Sequence, residues 1–171
     1  MLSLPVYNVR GVIFMTKFKK ALPFIIGVAI PLAVGGVSAL LTMSDMKAYG
    51  DIPQPPLSPP AVLFPIAWAI LYTLMGIASA LVWKSYRSED RQNGLIYYGL
   101  QLILNFFWPL VFFSAKEYWF AFAWLLALLA AVIVTAVFFR RVSKPAFYLL
   151  IPYIAWLAFA TYLNVGVAVL N

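Results

Sequence analysis

The sequence predicts an all-α integral membrane protein, a single bundle of five transmembrane helices. Of its 171 residues, 65% are hydrophobic and 10% are charged, against about 25% charged residues in an ordinary soluble domain. The charges form short clusters that leave five uncharged stretches, at about 22–43, 61–83, 95–115, 118–139 and 145–170. Each stretch exceeds the roughly 18 residues that a helix needs to cross a bilayer.

Uncharged stretches of this length are predicted to form transmembrane helices rather than the strands of a barrel. Backbone groups in lipid must be hydrogen-bonded within the protein, and barrel strands are short and alternate in polarity. We expect an N-terminal cytoplasmic tail at 1–20 and the five-helix domain at 21–171. The first stretch is too long for a signal peptide, so we expect it to be retained. Whether translation starts at Met1 or Met15 stays open.

The positive charges predict how the chain is oriented. Only Lys47 and Lys116 fall on one side of the predicted spans, whereas the N-terminal tail and the two even-numbered loops hold ten basic residues: Arg10, Lys17, Lys19, Lys20, Lys84, Arg87, Arg91, Arg140, Arg141 and Lys144. The positive-inside rule then places the N-terminus in the cytoplasm, and we expect a bacterial cytoplasmic membrane. No soluble module displays the net charge of +7, so we expect no nucleic-acid partner.

The absence of two residue types narrows the chemistry. The sequence contains no cysteine and no histidine. It therefore offers no disulfide, thiol nucleophile or imidazole base, and none of the usual ligands of zinc or haem iron. We expect no catalytic acid/base residues, no metal site and no cofactor.

The first loop and the small residues of the spans each leave two interpretations open. Loop 1, at 44–60, holds five prolines that favour an extended, ordered segment, which is either a lid or a spacer. Small residues permit close helix packing. They recur at Gly27, at Gly76-x-x-x-Ala80 and in the stripe Ala123, Ala127 and Ala131. Packing within one chain is favoured over a homodimer seam.

The third span places polar and aromatic side chains on one face. Gln101, Asn105, Trp108 and Phe112 follow helical spacing and are predicted to face the bundle interior. Pro109 has no N–H, which frees the carbonyl of Asn105. This face is suited either to a ligand or to an interhelical hydrogen bond worth about 1 kcal/mol.

The tryptophans fall into two groups by position. Trp83 and Trp119 lie at span ends, as expected of an interfacial belt, whereas Trp68, Trp108 and Trp156 lie inside three different spans. Interior indoles can line a cavity for a flat apolar ligand. Aromatic core packing is the alternative.

Three segments carry a resemblance to a known family. PPAVLFPIAW at 59–68, QLILNFFWPLVFF at 101–113 and PYIAWLAFATYLN at 152–164 resemble the tryptophan-rich sensory protein and translocator protein family, TspO/MBR, also called the peripheral benzodiazepine receptor family. The likeness covers about residues 20–171. It implies five helices, frequent homodimers, and an internal pocket beneath the first loop that binds porphyrins, with sterols or benzodiazepine-type ligands in some members.

The resemblance also implies which residues contact the ligand: Tyr49, Trp68, Asn105, Trp108, Trp156 and Ala160. Two lid positions depart from the family pattern, because Ala48 and Leu57 stand where tryptophan is frequent. No basic residue follows Tyr162, so the sterol-recognition pattern is incomplete and high-affinity cholesterol binding is not expected.

We therefore expect a membrane receptor or sensor that binds porphyrin, or another hydrophobic small molecule, as a ligand rather than a cofactor. Membrane lipid is the other expected partner, and a homodimer stays open. A transporter is one alternative, although no charged residue lies within a predicted span to couple ions. Light-dependent porphyrin breakdown, linked to some relatives, is the other.

Overall fold

The fold is the predicted helical bundle. The computed structural model describes the backbone of residues 9–171, and the side chains from Lys19 onward except at 47 and 48. Its five long helices are α1 (Val9–Ala48), α2 (Leu63–Lys84), α3 (Glu89–Pro109), α4 (Tyr118–Val142) and α5 (Lys144–Leu170). Each is long and apolar enough to cross a membrane, which confirms the predicted fold class. Residues 1–8 of the predicted tail lie outside the described residues, and the choice between Met1 and Met15 stays open.

Three helix ends differ clearly from the sequence prediction. α1 begins at Val9, before the predicted 22, so it includes residues 9–20 of the predicted tail. α1 continues to Ala48 and so takes up the start of predicted loop 1. α3 begins at Glu89, before the predicted 95, because Ser88 caps it: the Ser88 hydroxyl accepts a hydrogen bond from the Arg91 N–H at 3.2 Å. The first-turn acids Glu89 and Asp90 also favour this start, since they lie at the positive end of the helix dipole.

The helices form a ring in the order α1, α2, α5, α4, α3 and back to α1. Side chains from α2 to α5 fill its centre, and the largest buried ones include Met75, Phe139 and Tyr153. Loop 1 lies at one end of the ring. The opposite end holds the start of α1, the α2–α3 loop and the α4–α5 turn, and is called the basic end below.

Small residues bring α1 and α2 into close contact. A Cβ added to Gly76 would lie 2.4 Å from the Cα of Val28, and one added to Gly27 would lie 2.6 Å from the Gly76 carbonyl oxygen. These glycines therefore serve packing within the chain, as predicted. The alanine stripe of α4 is divided, since Ala131 is buried while Ala127 is exposed.

The end of α3 loosens into a π-helical turn. Pro109 ends the α-helix and Leu110–Ser114 follows as the π turn. The N–H of Leu110 bonds to the Phe107 carbonyl instead of that of Phe106. The Phe106 carbonyl then accepts a hydrogen bond from the Ser38 hydroxyl of α1 at 2.8 Å. A carbonyl near Pro109 is thus available to another helix, but the observed bond lies one residue after the predicted Asn105.

Candidate ligand-binding site

Two adjoining cavities lie beneath loop 1. The upper cavity has a volume of about 360 Å³ and is lined by loop 1, α1, α2, α3, α5 and the π turn. The deep cavity has a volume of about 270 Å³ and lies between α1, α2, α3 and α5. The two share six lining residues: Met46, Ala61, Phe64, Trp108, Phe113 and Ala160. They therefore adjoin, and together they form the candidate site.

All the predicted ligand-binding residues line this site. Tyr49 lines the upper cavity, and Trp108 and Ala160 line both. The remaining three line the deep cavity: Trp68, Asn105 and Trp156. The structure thus brings together side chains that are more than 100 positions apart in the sequence. Their contact with a ligand stays a prediction.

Loop 1 covers the upper cavity and is fastened to α5. Pro55 packs on Gly166, where an added Cβ would lie 2.5 Å from the proline ring. The Tyr162 hydroxyl donates to the Pro56 carbonyl at 2.9 Å, and the Asn171 side-chain amide donates to the Pro53 carbonyl at 3.0 Å. Because the loop is bonded across the end of the bundle, its geometry favours a lid over a spacer.

One of the two unusual lid positions, Leu57, lines neither cavity. Leu57 occupies a turn closed by the Ser58 N–H on the Pro55 carbonyl at 3.3 Å. Its φ of 67° is unfavourable for a leucine, and its side chain is 79% exposed. The side chain of Ala48 lies outside the described residues. Among the described residues of loop 1, Tyr49 is the one aromatic side chain that lines the upper cavity.

Asn105 is the centre of a buried hydrogen-bond network. Its side-chain oxygen accepts from the Tyr72 hydroxyl at 2.8 Å, and its side-chain amide donates to the Tyr153 hydroxyl at 2.7 Å. The Tyr153 hydroxyl in turn donates to the Gln101 side-chain oxygen at 2.9 Å. The network joins α2, α3 and α5, so Asn105 holds helices together while it forms part of the cavity wall.

The sequence analysis did not identify Tyr72 and Tyr153 as hydrogen-bond partners of Asn105. Tyr72 lies one helical turn after Trp68 on α2, and their ring centres are 5.2 Å apart. Tyr153 lies three residues before Trp156, hence on nearly the same side of α5. Their position inside apolar spans was the signal that could have identified them, because a phenol hydroxyl in such a span needs a hydrogen-bond partner.

The three interior indoles differ in whether their N–H groups are hydrogen-bonded. Trp108 donates to the Asn164 side-chain oxygen at 3.2 Å, and Asn164 donates to the Tyr118 carbonyl at 2.9 Å. Trp68 and Trp156 make no hydrogen bond through Nε1 to any residue that the structure describes. Both indoles line the deep cavity, and neither N–H has a partner among the described residues.

The other tryptophans lie away from the site. Trp83 and Trp119 are 60% and 59% exposed at helix ends, as their sequence positions predicted. Trp124, which the sequence left unassigned, donates its indole N–H to the Leu104 carbonyl at 2.8 Å and so ties α4 to α3.

The site is apolar and uncharged. None of the described residues that line the two cavities is acidic or basic. Burial, together with the neighbouring Tyr118, raises the pKa of the Tyr49 phenol above its usual value of 10.0, so Tyr49 is neutral at physiological pH. Such a site favours a flat apolar ligand that carries hydrogen-bond acceptors.

The comparisons with known proteins agree with the fold. Residues 27–170 match the model of the TspO/MBR family. The tryptophan-rich protein TspO of Chlorobaculum tepidum is 34% identical over 155 residues, which cover 90% of this chain and 98% of that protein. The translocator protein of Ovis aries is 42% identical over 118 residues, covering 68% and 70%.

The translocator protein of Homo sapiens is 39% identical over 121 residues, covering 70% of this chain and 72% of that protein. The family match includes α1 from residue 27 onward, the whole of α2 to α5, and every predicted ligand-binding residue. It also confirms the resemblance that the three sequence segments carried. The chain is an integral membrane protein that belongs to the TspO/MBR family.

Proposed function

We propose that this protein is a membrane receptor or sensor that binds porphyrin, or a similarly flat apolar ligand, in the two adjoining cavities. The observation that carries the proposal is the position of Trp68, Trp108 and Trp156 around two adjoining uncharged cavities beneath a fastened lid. We further propose that it lies in a bacterial cytoplasmic membrane with its N-terminus in the cytoplasm.

The dimensions and chemistry of the site support a planar ligand. The two cavities together fall within the roughly 300–1,000 Å³ range of small-molecule sites. Phe64 and Trp156 pack with their ring centres 6.1 Å apart, so aromatic faces and edges already border the space. A ligand with an apolar ring system could stack on these side chains, while acceptors on its rim take the N–H groups of Trp68 and Trp156.

Titration of the purified protein with porphyrin, followed by tryptophan fluorescence quenching, tests this function. Trp68→Phe and Trp156→Phe should each weaken binding several-fold, because an aromatic contact is worth about 1 kcal/mol. Trp83→Phe and Trp119→Phe are matched controls that remove the same indole from exposed helix ends. Because each variant lacks one fluorophore, porphyrin absorbance should be titrated in parallel.

The controls should bind porphyrin like the parent. If the two interior variants also do so, their aromatic side chains are core packing and the proposed pocket is wrong. Unfolding must be measured on the same samples, since a destabilised bundle would weaken binding without any lost contact.

Transport of porphyrin is less well supported. Coupled transporters place ionisable groups in their spans, and no described lining residue is charged. Porphyrin flux into proteoliposomes that exceeds the flux into protein-free vesicles would favour transport over reception.

Light-dependent porphyrin breakdown has one specific observation in its favour. Trp68 lies against two tyrosines, with ring centres 5.2 Å from Tyr72 and 6.2 Å from Tyr153, so the deep cavity gathers several oxidisable side chains. Illumination of the complex, with loss of porphyrin absorbance and appearance of new product bands, would establish this activity. An unchanged spectrum under illumination would leave binding alone.

A further inference from the structure

Arg91 is a buried cation near the start of α3, at the basic end of the bundle. Its side chain is only 9% exposed, and its Nε is enclosed without a hydrogen-bond partner. The guanidinium carbon lies 5.0 Å from the centre of the Trp83 ring of α2. A cation–π contact offsets part of the desolvation of a buried charge, but it does not neutralise that charge.

The nearby carboxylates do not neutralise Arg91. Asp90 is bound to Arg141 of α4 at 3.2 Å, in the one ion pair among the described side chains. Glu89 is exposed, and two helical residues separate positions by about 200° around the axis. Glu89 therefore lies on the side of α3 away from Arg91. The described part of the chain leaves the arginine without a counterion.

The residues around Arg91 are mostly basic and aromatic, as is typical of the part of a membrane protein that meets the lipid headgroups. The basic end carries two acids, Glu89 and Asp90, against eight cations among the described side chains: Lys19, Lys20, Lys84, Arg87, Arg91, Arg140, Arg141 and Lys144. Several cations lie over aromatic rings, such as Lys84 with its Nζ 4.8 Å from the Phe24 ring centre. Basic side chains and aromatic rings concentrate in this way where helices cross lipid headgroups.

We propose that Arg91 and Trp83 form a binding site for the phosphate of an anionic phospholipid. The planar guanidinium can donate two parallel hydrogen bonds to phosphate oxygens. Trp83 is 60% exposed on the outside of the bundle, where its ring would contact the glycerol and upper acyl region of the same lipid. A free phosphate ion could use the guanidinium but would gain nothing from this apolar surface.

The test compares Arg91→Gln with Arg87→Gln. Both remove one positive charge from the basic end, but Arg87 is exposed and lies in the α2–α3 loop. Phosphatidylglycerol binding to the detergent-purified protein would be titrated by native mass spectrometry, with phosphatidylcholine as the uncharged reference lipid. Arg91→Gln should weaken phosphatidylglycerol binding about tenfold or more, because it removes charge-assisted hydrogen bonds. Arg87→Gln should change it little.

Two further variants keep the test decisive. Arg91→Lys retains the charge without the planar fork, so its affinity should fall between those of the parent and Arg91→Gln. Trp83→Leu leaves Arg91 in place and should also weaken binding, which gives a result even if Arg91→Gln fails to fold. Size-exclusion chromatography and circular dichroism establish folding independently of ligand binding.

Three results would overturn the proposal. Equal losses in Arg91→Gln and Arg87→Gln would mean that only the diffuse positive field attracts the lipid. The site would be one for free anions if inorganic phosphate competed with phosphatidylglycerol and raised the melting temperature of the parent as much as the lipid does. Unchanged binding in both Arg91→Gln and Trp83→Leu would remove the site altogether.

Discussion

Tyr153→Phe should destabilise the bundle more than any other exchange of a tyrosine for phenylalanine in the described spans. The substitution deletes one oxygen and keeps the ring, so it opens no significant cavity. The Tyr153 hydroxyl accepts from Asn105 at 2.7 Å and donates to Gln101 at 2.9 Å. Its loss breaks two interhelical hydrogen bonds in a position that has no measurable exposure.

The magnitude follows from the number of partners left unpaired. Interhelical hydrogen bonds in membrane proteins are worth about 0.6 kcal/mol on average and up to about 1.7, and an enclosed polar group without a partner adds a desolvation cost. Tyr153→Phe leaves two such groups, so we expect a loss of about 2 kcal/mol. Tyr72→Phe breaks one bond, to Asn105 at 2.8 Å, and should cost about 1 kcal/mol.

Reversible unfolding in detergent micelles would measure these losses. Tyr148→Phe is the matched control, since Tyr148 is also on α5 but is 65% exposed; it should change the unfolding free energy by less than about 0.5 kcal/mol. A double-mutant cycle of Tyr153→Phe with Asn105→Leu should give a coupling energy of about 1 kcal/mol. The network would be refuted as a source of stability if Tyr153→Phe behaved like Tyr148→Phe.

Three other predictions concern orientation, assembly and helix packing. A reporter fused after Asn171 should be active only outside the cytoplasm, and cytoplasmic activity would reverse the proposed topology. Ala127→Leu should give monomers in detergent without loss of fold if the exposed α4 stripe is a dimer seam, and an unchanged oligomeric state would argue against it. Gly76→Ala should cost about 1–3 kcal/mol in unfolding free energy because its Cβ would overlap Val28. Gly99→Ala, with no atom within 4 Å of the added Cβ, should be neutral or stabilising.

Hydropathy and charge predicted the helix number because each span needs a long uncharged stretch. They could not place the helix ends, since these depend on local capping rather than on contact with lipid. Ser88 starts α3 among charged residues that hydropathy excluded from the span. The ring order of the helices was also beyond reach, because nearly every face of a span is apolar and periodicity then says little about neighbours.

The aromatic side chains of the site were predictable from their positions within the spans rather than from hydropathy and charge. An indole inside a span is distinguishable from one at a headgroup, and this separated Trp68 and Trp156 from Trp83. The role of Asn105 was not predictable in the same way. Its amide was compatible with a ligand or with another helix, and only the positions of Tyr72 and Tyr153 show that both of its polar ends are bonded within the protein.

Hydrogen bonds between helices determine which polar side chains around the cavities already have a partner. A polar side chain inside a span must be paired, and the side-chain oxygens of Gln101, Asn105 and Asn164 each accept a hydrogen bond from a tyrosine or tryptophan of another helix. The same pairing leaves the N–H groups of Trp68 and Trp156 without partners among the described residues. Because an indole only donates, the proposed ligand would need acceptors on its rim to pair with them. Helix packing therefore determines which polar groups of the cavity wall are paired. We expect a substitution in the network to leave one of these groups unpaired, and so to change which ligands the site prefers even where the substituted residue does not contact the ligand.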